Sequence, residues 1–460
     1  MKGLLRRFSV HGAVPAFAAA AVAFAAAARA QDVDFSGVLR FSDESFASLS
    51  ADSLDSWPVL GGRMHFEFQD PGRTRAGWMG GTRDRARLDV RAFDFPVYEI
   101  RAAFGEGGAP LVSMEFVLFS RGDVTTAGPG RGPNAGRIKD AVHDDKAFKA
   151  LFSDVRSQFE ETYGKPAGSR VQRPVKDHEQ RQFLWNAPGG AVVLSVGNTL
   201  ERNVFKGEYI RAALRPGAGE KAPNQAAVAP SGPRPSAYDP AKITARRGDV
   251  AGNVKRRDDG LVFVDNVPMV DQGDKGYCVV ATLERLVRYY GGETSQHELA
   301  QLFNTGDGGG TMMRYDRFVA PEIRKRFGFR EDPVQIRRPE FEKLAKAYDD
   351  LAASSKLPWN RKMSQEQIAA VLESADRETL HSAAATQREC KAMMAAVKGW
   401  IDKGIPLVWL IPGHMRMIVG YDETKALIAY SDSWGAGHEC KTMPLGEAWL
   451  LTRALFAVHP

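Results

Sequence analysis

The sequence predicts an α+β protein in which a proline-rich linker separates two folded domains. Three observations support this. Residues 64–69 alternate between apolar and polar side chains, which is the period of a half-buried strand. Apolar residues recur at helical spacing over residues 148–159. Over residues 215–242, proline, glycine, alanine and serine replace the large apolar residues, so this segment lacks the material for a core.

The length and composition of the chain fit this organisation. It has 460 residues, which as a prior corresponds to two or three domains. Of these residues 43% are hydrophobic and 26% charged, an ordinary soluble composition with enough apolar side chains for more than one core.

Residues 1–30 have the three parts of an export signal. A basic start with Lys2 and Arg6 is followed by an apolar stretch over about residues 13–27, and Ala-Arg-Ala at residues 28–30 supplies a cleavage site. The apolar stretch is shorter than the ~20 residues that span a bilayer. We therefore expect cleavage rather than stable membrane insertion, and a mature protein that acts in the periplasm or outside the cell.

The charge of the chain does not indicate a nucleic-acid partner. Of the 62 Lys and Arg residues, four lie in residues 1–30, a segment without acidic residues, so the remaining chain has a net charge of only about +2. It has no concentrated basic stripe, the usual footprint of a nucleic-acid-binding surface.

Residues 31–214 are predicted to form an N-terminal α+β domain of unknown function. A buried strand is expected over residues 111–119, and a helix from near Asp144 to Gly164. Residues 183–185 and 192–196 flank a Pro-Gly-Gly turn and indicate a hairpin. This domain contains no motif with recognisable chemistry.

Residues 215–242 are predicted to be the interdomain linker. Their prolines stiffen the segment, and its exposure would make it accessible to proteases. The second domain then comprises residues 243–460.

Cys278 is predicted to open an amphipathic helix that ends at Gly291. The apolar side chains after the cysteine share one helical face: Val279, Val280, Leu283, Leu286, Val287 and Tyr290. At a helix N-terminus the free backbone N–H groups and the helix dipole favour the thiolate, the reactive form of cysteine. A lone cysteine is more often a small buried hydrophobe, so a chemical role for Cys278 depends on partners elsewhere in the sequence.

His414 and Asp432 are the candidate partners. A buried strand is expected over residues 406–411, and His414 opens the next strand, with Arg416 on the same face. A return strand covers residues 427–430, and Asp432 follows it. Antiparallel pairing can bring the carboxylate near the imidazole, where it would orient the ring as the third member of a catalytic triad does.

These segments resemble the papain-like cysteine peptidases, and among them the bacterial C39-like branch. Residues 272–278 look like the Q-G-x-x-G-x-C nucleophile segment of that family, in which Gly276 is a supporting residue. Residues 414–421 resemble its H…V-G-Y strand, and residues 433–435 its S-W-G segment. The 136 positions between Cys278 and His414 lie within the ~130–150 typical of papain-type enzymes.

The resemblance covers roughly residues 262–460 and implies a helical lobe, an antiparallel sheet lobe and a set of roles. Cys278 would be the nucleophile, and His414 its base and the proton donor to the leaving amine. Asp432 would orient His414, and Trp434 would shield that contact from water. The Gln272 amide and the Cys278 backbone N–H would form the oxyanion hole.

The resemblance implies an enzyme that hydrolyses peptides or proteins with no metal or cofactor, and the export signal in residues 1–30 predicts that it acts outside the cytoplasm. The sequence departs from the cathepsins at Lys275 and Val279, where those enzymes often carry a disulfide cysteine and a tryptophan. Two alternatives stay open: a catalytically idle papain-like binding module, and a thiol amidase that acts on cell-wall peptides. The position of the N-terminal domain before a linker also suggests regulation as an inhibitory pro-segment.

The other cysteines have weaker signals. Cys390 shares a helical face with Met393, Met394, Val397 and Ile401, which indicates a core position. Cys440 is expected in a loop, where it would either pair with Cys390 or remain free. A metal site of Cys440 and His438 lacks further ligands at suitable spacing.

Three further segments complete the predictions for the second domain. Ser295 and Glu298 predict a capping box for a short helix. Residues 306–310 predict a glycine-rich loop, and residues 321–402 a set of helices with solvated faces.

Overall fold

The computed structural model describes residues 31–216, 245, 249–336 and 387–460. Shorter gaps within these ranges comprise residues 42–45, 47, 70–72, 81–87, 106–109, 131–132, 174–176, 188, 202–203, 306–309, 312–320 and 412. The described chain combines helices with largely antiparallel sheets, which confirms the predicted α+β class. The predicted export signal and most of the predicted linker lie outside the described residues, and those two predictions stand on the sequence alone.

The first half of the described chain is a large sheet with helices packed on it. Its elements are β1 (Gln31–Asp34), α1 (Ser36–Leu39), β2 (Glu67–Phe68), β3 (Arg75–Met79), β4 (Leu88–Ala92), β5 (Phe95–Pro96), β6 (Glu99–Phe104), β7 (Leu111–Ser120), α2 (Arg121–Ala127), α3 (Ala135–Ala141), α4 (Asp145–Tyr163), β8 (Gly168–Gln172), β9 (His178–Ala187), β10 (Gly190–Glu201) and β11 (Val204–Pro216). The main sheet has the order β2-β3-β6-β7-β11-β10-β9-β8 and is antiparallel throughout. Strand β11 runs two residues past the predicted domain end at residue 214.

Helix α4 covers one face of this sheet and confirms the predicted helix at residues 144–164. It starts where the Asp144 carboxylate accepts a hydrogen bond from the backbone N–H of Ala147 at 2.6 Å, and it ends at Gly164, which has a positive φ. Phe148 and Phe159 pack from its buried side against aromatic rings of the sheet. Aromatic burial of this kind supplies much of the stabilisation of a core.

The strands predicted for this half are mostly confirmed. Strand β7 matches residues 111–119, and β9 and β10 form the predicted hairpin. The strand predicted for residues 64–69 is shorter, because only Glu67 and Phe68 pair with β3. The alternation there arises because Met64 and Phe66 enter the core from an irregular segment.

The other face of the main sheet is polar and packs against the second half of the chain. Glu99 and Arg101 of β6, Glu115 of β7 and Arg211 of β11 lie there, and all but Glu115 are almost entirely buried. Each charge has an opposite charge beside it, as buried ions require.

The second half contains another antiparallel sheet. Its elements are β12 (Val254–Arg256), β13 (Val262–Val264), α5 (Cys278–Tyr289), α6 (Gln296–Leu302), α7 (Pro321–Phe327), β14 (Arg330–Pro333), α8 (Gln387–Ile401), β15 (Leu407–Ile411), β16 (His414–Asp422), β17 (Leu427–Ser431), β18 (Lys441–Pro444), α9 (Leu445–Leu451) and β19 (Ala454–His459). The sheet order is β12-β13-β16-β15-β19-β14, and β17 pairs with both β16 and β18.

Helix α5 begins at Cys278 and packs its apolar face against this sheet, as predicted. Leu283, Leu286 and Val287 are fully buried in one core with Trp409 and Met417 of the strands. The helix therefore carries its first residue to the edge of the sheet at which β16 begins.

Two predictions for this half need correction. The capping box is only half formed, because Ser295 caps the N–H of Glu298 whereas the Glu298 carboxylate pairs with Arg211. The region 321–402 is not purely helical, since β14 lies within it.

The pairing of Cys390 and Cys440, which the sequence left open, is not present. Both are free thiols, with Cys390 in the core as predicted and Cys440 exposed.

Two sequence predictions cannot be compared in full. The predicted loop at residues 306–310 lies mostly outside the described residues. The same holds for residues 337–386 of the predicted helical region. Within the described ranges, no helix has the length and apolar character needed to cross a bilayer.

Candidate active site

A tight loop at residues 271–277 presents Cys278 as the first residue of α5. The loop turns at Gly273, which has a φ of 65° and whose N–H donates to the Asp271 carboxylate at 2.8 Å. Tyr277 is the N-cap residue but supplies no side-chain cap. The Tyr277 side chain therefore does not occupy the first N–H groups of the helix, at whose start Cys278 lies.

The Gln272 side chain is held by hydrogen bonds at both the oxygen and the nitrogen of its amide. Its oxygen accepts a hydrogen bond from the Ser433 hydroxyl at 2.7 Å, and its nitrogen donates to the Lys275 carbonyl at 3.3 Å. Its backbone N–H also donates to the Ser433 carbonyl at 2.8 Å. These bonds fix the orientation of the amide and leave one of its N–H groups for another acceptor.

His414 lies where the sequence predicted it, at the start of β16. Its Nε2 is 2.6 Å from Oδ1 of Asp432. Because Nε2 faces Asp432, Nδ1 is the ring nitrogen left for Cys278. Burial alone would lower the pKa of His414, but the interactions with Asp432 and Cys278 outweigh it and raise the pKa to about 9.

Asp432 is anchored from several directions. Its Oδ2 accepts a hydrogen bond from Nε of Arg416 at 2.8 Å, and its backbone carbonyl accepts one from Arg285 at 3.1 Å. Burial alone would raise the pKa of Asp432, but the bond from His414 and the charges of His414 and Arg416 hold it below its usual value. The carboxylate is therefore an ionised, fixed partner for the imidazole.

Arg416 and Arg285 were assigned no role from the sequence. Arg416 is two residues after His414 on the same strand face, so the strand period already put it within reach of Asp432. Arg285 gave no such signal, since it lies on the apolar helix α5 and reaches Asp432 only in the folded protein.

Trp434 stacks on the His414 ring. The two ring centroids are 5.0 Å apart with an interplanar angle of 21°. The indole is 48% exposed whereas Asp432 is 1% exposed, so Trp434 covers the histidine with one face and meets solvent with the other. Gly276 lies in the loop between Lys275 and Tyr277 and is half-buried.

Residues of the first half of the chain contact two segments of the site, the loop before Cys278 and the loop after Trp434. The sequence did not indicate these contacts. Asp123 pairs with Lys275, and the Glu67 carboxylate accepts a hydrogen bond from the N–H of Ala436, two residues after Trp434. Nearby Asp271 is largely buried, which raises its pKa to about 6 against the opposing bond from Gly273. The sequence gave no signal for the contacts of Asp123 and Glu67, because each of them joins residues more than a hundred positions apart.

Two cavities flank the Trp434 loop. One of about 490 Å³ is lined by Arg416, Tyr430, His438 and Lys441, among others. The other, of about 310 Å³, lies between the halves of the chain and includes Glu67, Trp78 and Asp271. Among the residues described, no three His, Cys, Asp or Glu side chains form a group that could hold a metal ion.

Comparison with known proteins identifies the second half of the chain. Residues 264–453 match the model of the Peptidase_C39 like family. No curated protein and no solved structure gave a significant match. The matched range contains the loop, helix and strands that carry Cys278, His414 and Asp432, and the match supports a C39-like peptidase domain in this region of the chain.

Proposed function

We propose that the protein is an exported cysteine peptidase that cleaves peptide bonds through Cys278, His414 and Asp432. The observation that carries the proposal is that the fold brings these three side chains together from a helix end and two strands, with His414 hydrogen-bonded to Asp432 and its pKa raised by both Asp432 and Cys278. The match of residues 264–453 to the C39-like family supports peptidase activity independently. Export remains a prediction from residues 1–30, which N-terminal sequencing of the secreted protein would test.

The proposed reaction begins with an ion pair. The raised pKa of His414 keeps the imidazole charged at neutral pH, and its N–H donates to the Cys278 thiolate. The thiolate sulfur adds to the substrate carbonyl carbon, and the C=O electron pair moves to the oxygen. When that intermediate collapses, the C–N bond breaks, His414 gives its proton to the amine, and a thioester remains. Water then attacks the thioester as His414 takes a proton from the water, and the collapse of this second intermediate releases the acid and restores the pair of Cys278 thiolate and charged His414.

Gln272 is proposed to stabilise the oxyanion formed in this step. Its amide is fixed by Ser433 and Lys275, and the remaining N–H together with the N–H of Cys278 would donate to the developing negative charge. A prearranged donor of this kind is worth about 10²–10³ in kcat, because it needs no reorganisation during the reaction.

Two alternative functions share parts of this geometry. A thiol amidase that acts on cell-wall peptides would use the same three side chains on a different amide. An idle binding module would keep the fold, but its cysteine would react like an ordinary thiol. Thiol reactivity therefore separates the enzyme hypotheses from the binding hypothesis.

We expect iodoacetamide at pH 7 to alkylate Cys278 at least about tenfold faster than Cys440, because a thiolate paired with imidazolium reacts faster than an un-ionised thiol. Accessibility alone predicts the opposite order. Cys440 is exposed, but protein atoms around its thiol raise its pKa. Peptide mapping by mass spectrometry after short exposure measures both rates in one sample.

The chain offers matched controls for this experiment. Cys390 is buried with its pKa raised to about 11 and should react slowest. His414→Ala should slow alkylation of Cys278 while the rate at Cys440 stays the same. Equal rates at Cys278 and Cys440 in the wild-type protein would leave the idle module as the better description.

The pH dependence of hydrolysis should show an alkaline limb near pH 9. The competent His414 is the charged form, and its pKa is raised from 6.5 to about 9, so activity persists below that pH and falls as pH rises through it. The stability that His414 gains from its partners follows the same sign: it is fully present below pH 6.5 and lost as pH rises through about 9. We would measure kcat/KM on fluorescently labelled casein from pH 6 to 10.5, with circular dichroism to confirm folding. Activity that still rises at pH 10 contradicts the proposal.

A further inference from the structure

A turn of the first half of the chain contacts the residues immediately before Cys278. This turn, residues 120–123, is called here the α2 turn because it opens helix α2, with Ser120 as the N-cap. It contacts Lys275 through Asp123 and Tyr277 through Gly122. These two contacts lie on either side of Gly276 in the loop that carries Gln272.

The contact between Asp123 and Lys275 is a buried ion pair. Nζ of Lys275 lies 2.9 and 3.1 Å from the two carboxylate oxygens of Asp123 and 3.5 Å from the sulfur of Met79. The Lys275 side chain is 0% exposed and that of Asp123 5%. With so little solvent access, removal of the Asp123 charge takes from Lys275 its hydrogen-bonded counter-charge.

The contact between Gly122 and Tyr277 is a close steric fit. A Cβ atom at Gly122 would lie 2.5 Å from the Tyr277 hydroxyl oxygen, which is too close without movement. Tyr277 is 3% exposed, and Ser120 is among the residues that act on its hydroxyl group. Tyr277, the N-cap residue of helix α5, is therefore packed against the α2 turn.

Both contacts involve residues of the loop at 271–277, called here the oxyanion loop because it carries Gln272. The Lys275 carbonyl accepts hydrogen bonds from the Gln272 side chain at 3.3 Å and from the Tyr277 N–H at 2.7 Å. Displacement of Lys275 or Tyr277 would move the acceptor that orients the Gln272 amide.

We propose that Asp123 and Gly122 are positioning residues for catalysis and that the first half of the chain is a permanent part of the active site. The inference rests on the proposed peptidase function. It differs from the pro-segment hypothesis, in which release of the first half would activate the enzyme. Here the first half holds the oxyanion loop, and its loss would lower turnover.

Further buried pairs support a lasting association of the two halves. Arg101 reaches Glu284 at 2.7 Å, His297 reaches Glu99 at 2.8 Å, and Arg211 pairs with Glu298. Gln180 also donates to Gln301 at 3.0 Å. These bonds surround helix α6, next to the start of α5, so the α2 turn is one edge of a wider interface.

The first test is Asp123→Asn in the full-length protein. We expect kcat on labelled casein to fall at least about tenfold with little change in KM, because the oxyanion donor is displaced while the substrate cleft remains. The rate of Cys278 alkylation by iodoacetamide should stay within about twofold of wild type, because that reaction needs the thiolate but no oxyanion hole. Gln272→Ala serves as the reference for a lost donor.

The matched control is Asp154→Asn, which removes an exposed ion pair with Arg137 inside the same half of the chain. This variant should leave kcat unchanged. A kcat for Asp123→Asn within about twofold of wild type overturns the proposal, as does a fall in alkylation rate that equals the fall in kcat.

Gly122→Ala tests the same inference without changing a charge. Alanine is a better helix former than glycine, so helix α2 itself should not suffer, but the new methyl group must displace Tyr277. We expect lower kcat and faster amide hydrogen exchange over residues 271–278. Gly136→Ala in helix α3 is the control, because its Cβ would meet no atom within 4 Å.

Hydrogen exchange also distinguishes failure of the proposed peptidase function from failure of the positioning role of the α2 turn. If the wild-type protein neither hydrolyses casein nor shows rapid alkylation of Cys278, the proposed function has failed, and exchange over residues 271–278 still tests the role of the α2 turn. Unchanged exchange in both Gly122→Ala and Asp123→Asn overturns that role.

Discussion

Cys278→Ala is expected to lower kcat by about 10⁴-fold or more, the scale on which loss of a covalent nucleophile acts. The physical reason is that His414 and Asp432 would remain in place with no atom to form the acyl intermediate. Binding of substrate should be largely retained, so KM should change far less than kcat. We would measure both on labelled casein with the purified full-length protein.

Cys440→Ala is the matched control for this variant. Cys440 is also a free thiol and is more exposed than Cys278, but it has no contact with His414 among the described residues. It should retain wild-type kcat. Hydrolysis by Cys278→Ala at more than about a hundredth of the wild-type rate would falsify the assignment of the nucleophile.

Glu284→Gln is expected to reduce the free energy of unfolding by about 3–5 kcal/mol, the cost of breaking a buried ion pair by removing one partner. The Glu284 side chain is 0% exposed and lies between Arg101 at 2.7 Å and Arg288 at 2.5 Å. It also accepts a hydrogen bond from the N–H of Gln296 at 2.6 Å. Glutamine keeps the shape but leaves two buried guanidinium groups without this counter-charge.

Urea unfolding at pH 7 measures this effect, and Glu423→Gln provides the control. Glu423 pairs with Lys398 at 2.5 Å, but both side chains are exposed, so we expect a change within about 1 kcal/mol. Similar small changes for both variants would mean that water enters the interface and screens Glu284.

The elements that carry the site could be predicted because their signals are local. Apolar spacing after Cys278 defined helix α5, and alternation around His414 defined strand β16. The turn between β16 and the next strand then placed Asp432 beside His414. Each step needed only neighbouring residues and the period of one element.

The interface between the halves could not be predicted in this way. Lys275 lies in a polar loop and gave the signal of a solvated residue, yet its side chain is fully buried. Glu298 gave the signal of a helix cap, yet its carboxylate binds Arg211 from the other half. A charged side chain looks the same in sequence whether water or a distant partner neutralises it, because burial is a property of the whole fold.

The burial of Lys275 against Asp123 limits how these two positions can vary. Lysine at 275 without an acid at 123 loses its nearest counter-charge in the interior. An apolar pair of similar volume would need no counter-charge at either position. We therefore expect positions 123 and 275 to vary together rather than singly.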